Sequence, residues 1–321
     1  LDSRRWDLED QLEEKRQKVA SFQDQLYQKE REILVFERRL HERERHLKRR
    51  VELGQKEMKN RPDIPEIILI TPTHARPTQL ADLTRLAQTL MHVSNLRWIV
   101  VEDGLDTLPH IQQLLQRSKI QFVYLAAATP LQYKLNSTEP RWRKPRGVTQ
   151  RNAGLVWIRE NLSKNPVPPE PVVYFADDDN TYDLRLFDEM RYTKRVSVWP
   201  VALVGGLMLE RPLVDAATGT VTGFVSGWKA NRRTFPVDMA GFAINSRLIL
   251  EHPRVSFSYD VEVGFVESRF LEQLVTIQEL EPKADNCTKV LVWHTQTAPV
   301  KLKKELALRQ RGMRSDEGFI V

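Results

Sequence analysis

The chain reads as an α/β protein with a Rossmann-type sheet, preceded by one long amphipathic helix. Three observations predict this. From residue 66 onward, short β-branched runs alternate with stretches of helical periodicity, the pattern of crossovers onto a parallel sheet. One run, Pro171-Val172-Val173-Tyr174-Phe175-Ala176, is apolar throughout and stops at Asp177-Asp178-Asp179-Asn180. Residues 8–53 instead contain no proline and place an apolar residue at every seventh position.

In that first segment the seam is Leu12, Val19, Leu26, Ile33, Leu40 and Leu47. The companion seam has Leu8, Phe22 and Phe36, with Lys15, Lys29 and Arg43 in the alternate heptads. A coiled-coil dimer with a strained or wet second seam is the expectation; a solvated single helix laced with i,i+4 ion pairs is the alternative. Gly54 ends the pattern, and Arg61-Pro62-Asp63-Ile64-Pro65 is a stiff linker. The boundaries are therefore 1–60 for helix and linker and 61–321 for the globular part.

Strands are predicted over 66–71, 96–101 and 120–125, and the Asp-run strand follows a helix over 147–161. Helices over 77–93 and 108–117 separate the first three strands. The first of them puts Leu80, Leu83, Leu86, Ala87 and Leu90 on one face. A helix capped by Asp183 follows the Asp run. No Gly-x-Gly-x-x-Gly follows the first strand, which favours a mononucleotide or sugar-nucleotide fold over a dinucleotide one. The second half is less regular. It is read as a strand over 196–204, a hairpin over 214–228 turning at Ala217-Thr218-Gly219, a helix over 260–274 and a strand over 289–293 before a basic tail. This half is expected to wall the acceptor side of whatever the Asp run binds.

Composition sets outer limits. With 321 residues, 41% of them hydrophobic, the chain can bury a core of one large or two small domains. A net charge of +6 suits an acidic ligand or a polyanionic surface and does not require nucleic-acid reading. The one cysteine, Cys287, permits no internal disulfide and reads as a buried thiol. No apolar run is long enough to span a bilayer. Because the chain begins at Leu1, any signal or anchor is expected upstream.

Three adjacent carboxylates repel one another, and a hard divalent cation makes them tolerable. The C-terminal end of a buried α/β strand is also where ligands gather. An Asx-type solvated turn is the alternative reading. Asp103, at the end of the second strand, suits a hydrogen bond to a base or ribose, or else a plain Asp-Gly turn. A diphosphate needs more cations, and Arg141, Arg143, Lys144, Arg146 and Arg151 cluster at the start of a helix. Asp238 lies in an apolar run, hence buried and paired or functional. Glu267 opens a helical run, as a dipole complement or as a general base of raised pKa. His294 ends a strand and can donate to phosphate, or is structural.

Five segments resemble a known family. They are Phe175-Ala176-Asp177-Asp178-Asp179-Asn180-Thr181-Tyr182, Val196-Ser197-Val198-Trp199-Pro200-Val201, Val204-Gly205-Gly206-Leu207, Pro236-Val237-Asp238-Met239-Ala240-Gly241-Phe242-Ala243 and Val290-Leu291-Val292-Trp293-His294-Thr295. Together they resemble the β1,3-glucuronyltransferases of glycosyltransferase family 43, over about residues 66–298. The resemblance implies a GT-A-type Rossmann-like mixed sheet flanked by helices, with residues 66–200 binding a UDP-sugar and 201–321 the acceptor. It implies inverting transfer of glucuronic acid from UDP-glucuronic acid to the 3-hydroxyl of a terminal β-galactose, with Mn²⁺. The proteoglycan linkage region is the nearer acceptor and N-acetyllactosamine the alternative. A non-catalytic lumenal binding protein is the competing class.

By the same resemblance Glu267 is the catalytic base and Asp179 the metal ligand, with Asp177 and Asp178 supporting the donor. His74, Asp103, Arg146 and His294 are donor contacts, and Arg151 and Asp238 position the glucuronic acid. Glu210, Trp228 and Arg233 line the acceptor subsite, although an extra residue before Phe235 leaves Arg232 as the alternative match. Two positions depart from the family pattern: His74 stands where Tyr is usual and Gln296 where Arg is usual, both at donor contacts. The N-terminal helix resembles the stem of a type II membrane protein of the Golgi, its bulk lumenal, attached only through an anchor outside this chain. A homodimer is expected. Sequons at Asn136, Asn161 and Asn286 fit a lumenal location.

Overall fold

The computed structural model describes Lys29 and residues 64–135, 139–140, 143–162 and 169–318. Apart from Lys29, the heptad segment lies outside the described residues, as does Asn136. The chain divides into two units, Leu1–Met58 and Lys59–Val321, and the sheets and their helices belong to the second.

Among the described residues the main sheet has seven strands. In spatial order they are β11 (Leu280–Pro282), β6 (Val196–Val198), β10 (Phe242–Asn245), β4 (Val172–Phe175), β1 (Ile67–Thr73), β2 (Leu96–Glu102) and β3 (Gln121–Ala126). The four strands β4, β1, β2 and β3 run parallel. β10 is antiparallel to both its neighbours, so the sheet is mixed where alternation alone predicted a parallel one. Its four buried residues are too few to show a period.

The side-chain alternation of β1 sorts the helices onto two faces. Ile67 and Leu69 pack with Leu83, Leu86 and Leu90 of α1 (Gln79–Leu90) and Ile111, Leu114 and Leu115 of α2 (Pro109–Ser118). Leu186, Phe187 and Met190 of α4 (Leu184–Met190) share that face, and Asp183 caps α4 by accepting from the Arg185 N–H. Ile68 and Ile70 pack with Val148, Leu155 and Ile158 of α3 (Val148–Asn161), with Leu248 and Ile249 of α5 (Ser246–Glu251), and with Val266, Phe270 and Leu271 of α6 (Val266–Leu271). All four isoleucines and leucines of this β1 run are fully buried, as a two-sided parallel strand requires. Parallel β1, β2 and β4 deliver their C-terminal ends to one edge of the sheet.

Five more strands form the second sheet, in the order β5 (Thr181–Tyr182), β12 (Val292–Trp293), β7 (Val201–Val204), β8 (Leu207–Val214) and β9 (Val221–Val225). The strand predicted over 196–204 is two strands in two sheets, broken at Trp199-Pro200, where proline cannot donate to a ladder. The hairpin turns where expected, with Asp215 accepting from the Ala217 and Thr218 N–H groups. Its first arm is β8, starting at Leu207. The helix predicted over 260–274 contracts to α6, because Gly264 at φ +85° bends the chain before it can begin. The strand predicted over 289–293 contracts to β12. A short C-terminal helix, α7 (Lys303–Arg309), was not apparent within the basic tail.

Candidate active site

The Asp triplet leaves β4 at the sheet edge, and each carboxylate has a different environment. Asp177 accepts from Arg151 at 2.6 Å. Asp178 is buried, pairs with Arg76 at 2.7 Å and accepts from the Thr73 hydroxyl at 2.7 Å. Burial nevertheless pushes Asp178 up to about 6, against the pull of Arg76 and Thr73. The Asp179 side chain has no hydrogen bond or ion pair among the described residues, while burial and then the neighbouring Asp177 raise its pKa. The Thr295 hydroxyl donates to the Asp179 carbonyl at 2.6 Å, which fixes the backbone there.

These surroundings fit a hard divalent cation at Asp179, whose free charge is disfavoured by its neighbours. Among the described residues no three His, Cys, Asp or Glu side chains converge on a point. A cation there would need phosphate and water oxygens to complete its shell, the way Mg²⁺-like ions are held beside nucleotides.

Arg76 is a residue that sequence reasoning missed. It belongs to the loop after β1, where an arginine ordinarily reads as solvated. Its guanidinium instead bridges Asp178 and Asp82, and Asp82 is 1% exposed on the first turn of α1. Asp82 also accepts from the Thr297 hydroxyl at 2.6 Å, tying the segment after β12 to the same cluster. No spacing rule in the sequence signals this set, since its members are brought together only by the fold.

Asp103 accepts from the Thr129 N–H at 2.7 Å and the Thr129 hydroxyl at 2.8 Å. It is half-buried at the end of β2, on the same edge as the triplet. His74 follows the end of β1 and is exposed, and Gln296 is exposed after β12. The exposed Arg146 contributes its carbonyl to Arg151 Nη1 at 2.9 Å. Between them Gly147, at φ +71°, lets the chain pass: a Cβ there would lie 2.4 Å from Arg151 Nη1.

His294 Nδ1 lies 3.1 Å from Asp238 Oδ2. The Asp238 carboxylate at this distance pushes His294 up to about 9 against the effect of burial, so the contact is an ion pair at neutral pH, although Nδ1 is not aligned for a hydrogen bond. Burial pushes Asp238 up, but the neighbouring His294 and the Ala240 N–H hold it below the usual carboxylate range. Glu267, half-buried on the first turn of α6, is pushed up to about 7, by burial first and by Asp238 second, with Arg151 and Arg233 pulling the other way.

Glu210 accepts from the Ser226 hydroxyl at 2.7 Å and the Gly227 N–H at 2.8 Å. Arg233 donates to Ser226 Oγ at 2.8 Å and to the Gly264 carbonyl at 3.2 Å. Arg232 is exposed and ion-paired to Glu262, so of the two arginines it is Arg233 that faces Glu210 and Glu267. Trp228 is 41% exposed, its indole N–H donating to the Val263 carbonyl at 3.3 Å. Arg151 and Arg233 each keep a buried Nε without a partner among the described residues. Glu267 thus feels Arg151, which pairs with the triplet, and Arg233, which is linked to Glu210 through Ser226.

Of the sequons, Asn161 and Asn286 are exposed. Cys287 is buried, and burial pushes its thiol up to about 12. No helix among the described residues is long and apolar enough to cross a membrane.

The model of Glycosyltransferase family 43 matches residues 86–298. The chain is 50% identical over 246 residues to a human protein named galactosylgalactosylxylosylprotein 3-beta-glucuronosyltransferase 1, covering 75% of this chain and 72% of that one. It is 46% identical over 262 residues to galactosylgalactosylxylosylprotein 3-beta-glucuronosyltransferase I of Drosophila melanogaster, covering 80% and 84%. A mouse protein, galactosylgalactosylxylosylprotein 3-beta-glucuronosyltransferase 3, is 48% identical over 265 residues, covering 80% and 78%. The chain belongs to glycosyltransferase family 43.

Proposed function

We propose that the chain is an inverting galactosyl β1,3-glucuronosyltransferase. It transfers glucuronic acid from UDP-glucuronic acid to the 3-hydroxyl of the terminal β-galactose in the galactosyl-galactosyl-xylosyl linkage of proteoglycans. The names of its relatives support the reaction and the acceptor. The observation that carries the reading is Glu267: a carboxyl pushed up to about 7 that feels both Arg151, paired with the Asp triplet, and Arg233, linked through Ser226 to Glu210. A base for an alcohol acceptor needs that affinity and that location.

In this reading Asp103, His74, Arg146 and His294 hold uridine and diphosphate, and Arg151 and Asp238 orient the glucuronic acid. Glu210, Trp228 and Arg233 orient the galactose. Glu267 takes the proton from the galactose 3-hydroxyl as that oxygen bonds to the anomeric carbon. The bond from that carbon to the diphosphate oxygen breaks on the opposite face, and UDP leaves with the electron pair. One displacement inverts the centre, so no protein nucleophile is needed. Charged His294 and Arg151 are fixed donors in the neighbourhood where negative charge grows, and they need no reorganisation. Asp179 would hold the metal, with Mn²⁺ as the proposed ion and Asp177 and Asp178 oriented behind it. When bound, the ion neutralises diphosphate charge.

The proposal extends to a homodimer in the Golgi lumen, glycosylated at its sequons, and exposed Asn161 and Asn286 support the last point. The test is transfer of labelled glucuronic acid with Mn²⁺ to Galβ1,3Gal and, in parallel, to N-acetyllactosamine. Transfer to the first, abolished in Glu267→Ala and by EDTA, is the expected result. Preference for the second would move the acceptor to glycoproteins and glycolipids. UDP binding without transfer to either would make this a binding protein.

A further inference from the structure

Arg151 and Glu267 stand on different helices, and α6 is approached through a loop without regular structure. Something must set the register between them. Asn152, the next residue of α3, holds that loop with both ends of its amide. Its Nδ2 donates to the Phe257 carbonyl at 2.9 Å and its Oδ1 accepts from the Phe257 N–H at 2.8 Å. One side chain thus satisfies both backbone groups of one residue, as a ladder partner would.

Phe257 passes the constraint on. Its ring lies flat against Phe270, centroids 3.9 Å apart and planes within 10°. Phe270 is buried on α6, three residues after Glu267 and so on the adjoining part of the same helix surface. Phe175, the last residue of β4 before the triplet, meets both rings edge-on at 5.0 and 5.8 Å. Two contacts brace the loop from outside. The Thr149 and Tyr259 hydroxyls are 2.8 Å apart, and Tyr133 stacks on Tyr259 at 4.0 Å with planes 3° apart. Tyr133 belongs to the loop between β3 and α3, the same loop that leads to Arg146.

We propose that Asn152 is a positioning residue for glucuronyl transfer: acting through Phe257 and Phe270, it holds Glu267 in register with the donor-side Arg151, and the Tyr133–Tyr259 stack reinforces it. This rests on the reading of Glu267 as the base. The elements that pack around Glu267 bring Asp238, Arg151 and Arg233 to it as charged neighbours. None of these is removed by changing Asn152, so with the uncharged Asn152→Ala any effect on Glu267 reports its placement.

The experiment compares the full chain with Asn152→Ala, Asn152→Asp and Tyr133→Ala, with Mn²⁺ present. Expected for Asn152→Ala is a fall in kcat of roughly tenfold or more, since small misplacements of a base are costly. UDP affinity should change less than twofold. The acid limb of the kcat profile should move to lower pH as water reaches Glu267, and amide exchange of residues 266–271 should rise above that of the main sheet. Asn152→Asp keeps one of the two bonds and should lose less. Tyr133→Ala, altered on the outer loop, should move the limb and the exchange in the same direction by a smaller amount, so it decides the matter should Asn152→Ala not fold. An unmoved limb with unmoved exchange in 266–271 overturns the proposal, even where Tm or active fraction falls, because a merely structural role would do only that. A wild type that transfers nothing sinks the proposed function instead, and exchange in 266–271 then decides by itself whether Asn152 controls α6.

Discussion

Glu267 combines a catalytic assignment with a cost to stability. Its folded-state pKa lies above the unfolded value, so the folded state retains the proton longer. Its unfavourable contribution is absent below about pH 4.5 and grows as pH rises through about 7. Glu267→Gln should therefore stabilise the fold by about 1–3 kcal/mol at pH 8 and by nothing measurable at pH 4, read by urea denaturation. The same change should cut transfer by about 10²–10⁴-fold with UDP binding intact. Wild-type kcat/KM should rise with pH along a limb near 7. A limb near the ordinary carboxylate value would remove Glu267 from the role. His294 has the opposite sign of dependence. Its raised pKa means that the ion pair with Asp238 contributes fully below about 6.5 and is lost as pH climbs through about 9. The stability gap between wild type and His294→Gln should be about 1–3 kcal/mol at pH 6 and close at pH 10. A gap independent of pH would mean that packing, not charge, holds the imidazole.

Among the elements, the short α6 depends most on its surroundings. Six residues cannot sustain a helix alone, and Phe270 and Leu271 anchor it in the core. The bend before it requires Gly264, which sits at φ +85° with space for a Cβ only 2.4 Å from Trp228 Nε1. Gly264→Ala would strain the backbone and displace the indole. We expect a loss of about 1–3 kcal/mol of stability and a several-fold higher acceptor KM, with the donor KM unchanged. Equal changes in both KM values would contradict the assignment of Trp228 to the acceptor side. Helix α1 shows why Arg76 escaped notice. Its apolar stripe of Leu83, Leu86 and Leu90 is plain in the sequence, whereas Asp82 reads as an ordinary first-turn acid. Only the packing of α1 beside the β1 end turns Asp82 into a buried partner of two arginines.

At the scale of the molecule, donor, metal and fold should be thermodynamically linked. With Mn²⁺, UDP at about a hundred times its Kd should stabilise by ~2.7 kcal/mol, raising Tm by roughly 5–10 °C. EDTA should remove most of that rise. An equal rise with EDTA would separate Asp179 from diphosphate binding. In the proposed reading the two sheets carry different substrates: the parallel core bears the triplet and Asp103, and β8 with the segment after β9 bears Glu210 and Trp228.

How much of this was legible depended on range. Strand β4 and its Asp triplet, the α1 stripe, the α4 cap at Asp183 and the hairpin turn at 215–219 are local patterns, written in neighbouring residues. Apolar runs and turn residues act through the adjacent backbone, so they could be read in order along the chain. β10 between β4 and β6, the break at Pro200 into separate sheets, the Arg76–Asp82 pairing and the burial of Arg233 while Arg232 stays exposed were decided by the tertiary structure. So was the proton affinity of Glu267. Charge pairing and desolvation act through space over a few ångströms, and residues remote in sequence supply the partners. The order of amino acids names the groups able to do the chemistry; folding determines which of them meet and in what protonation state.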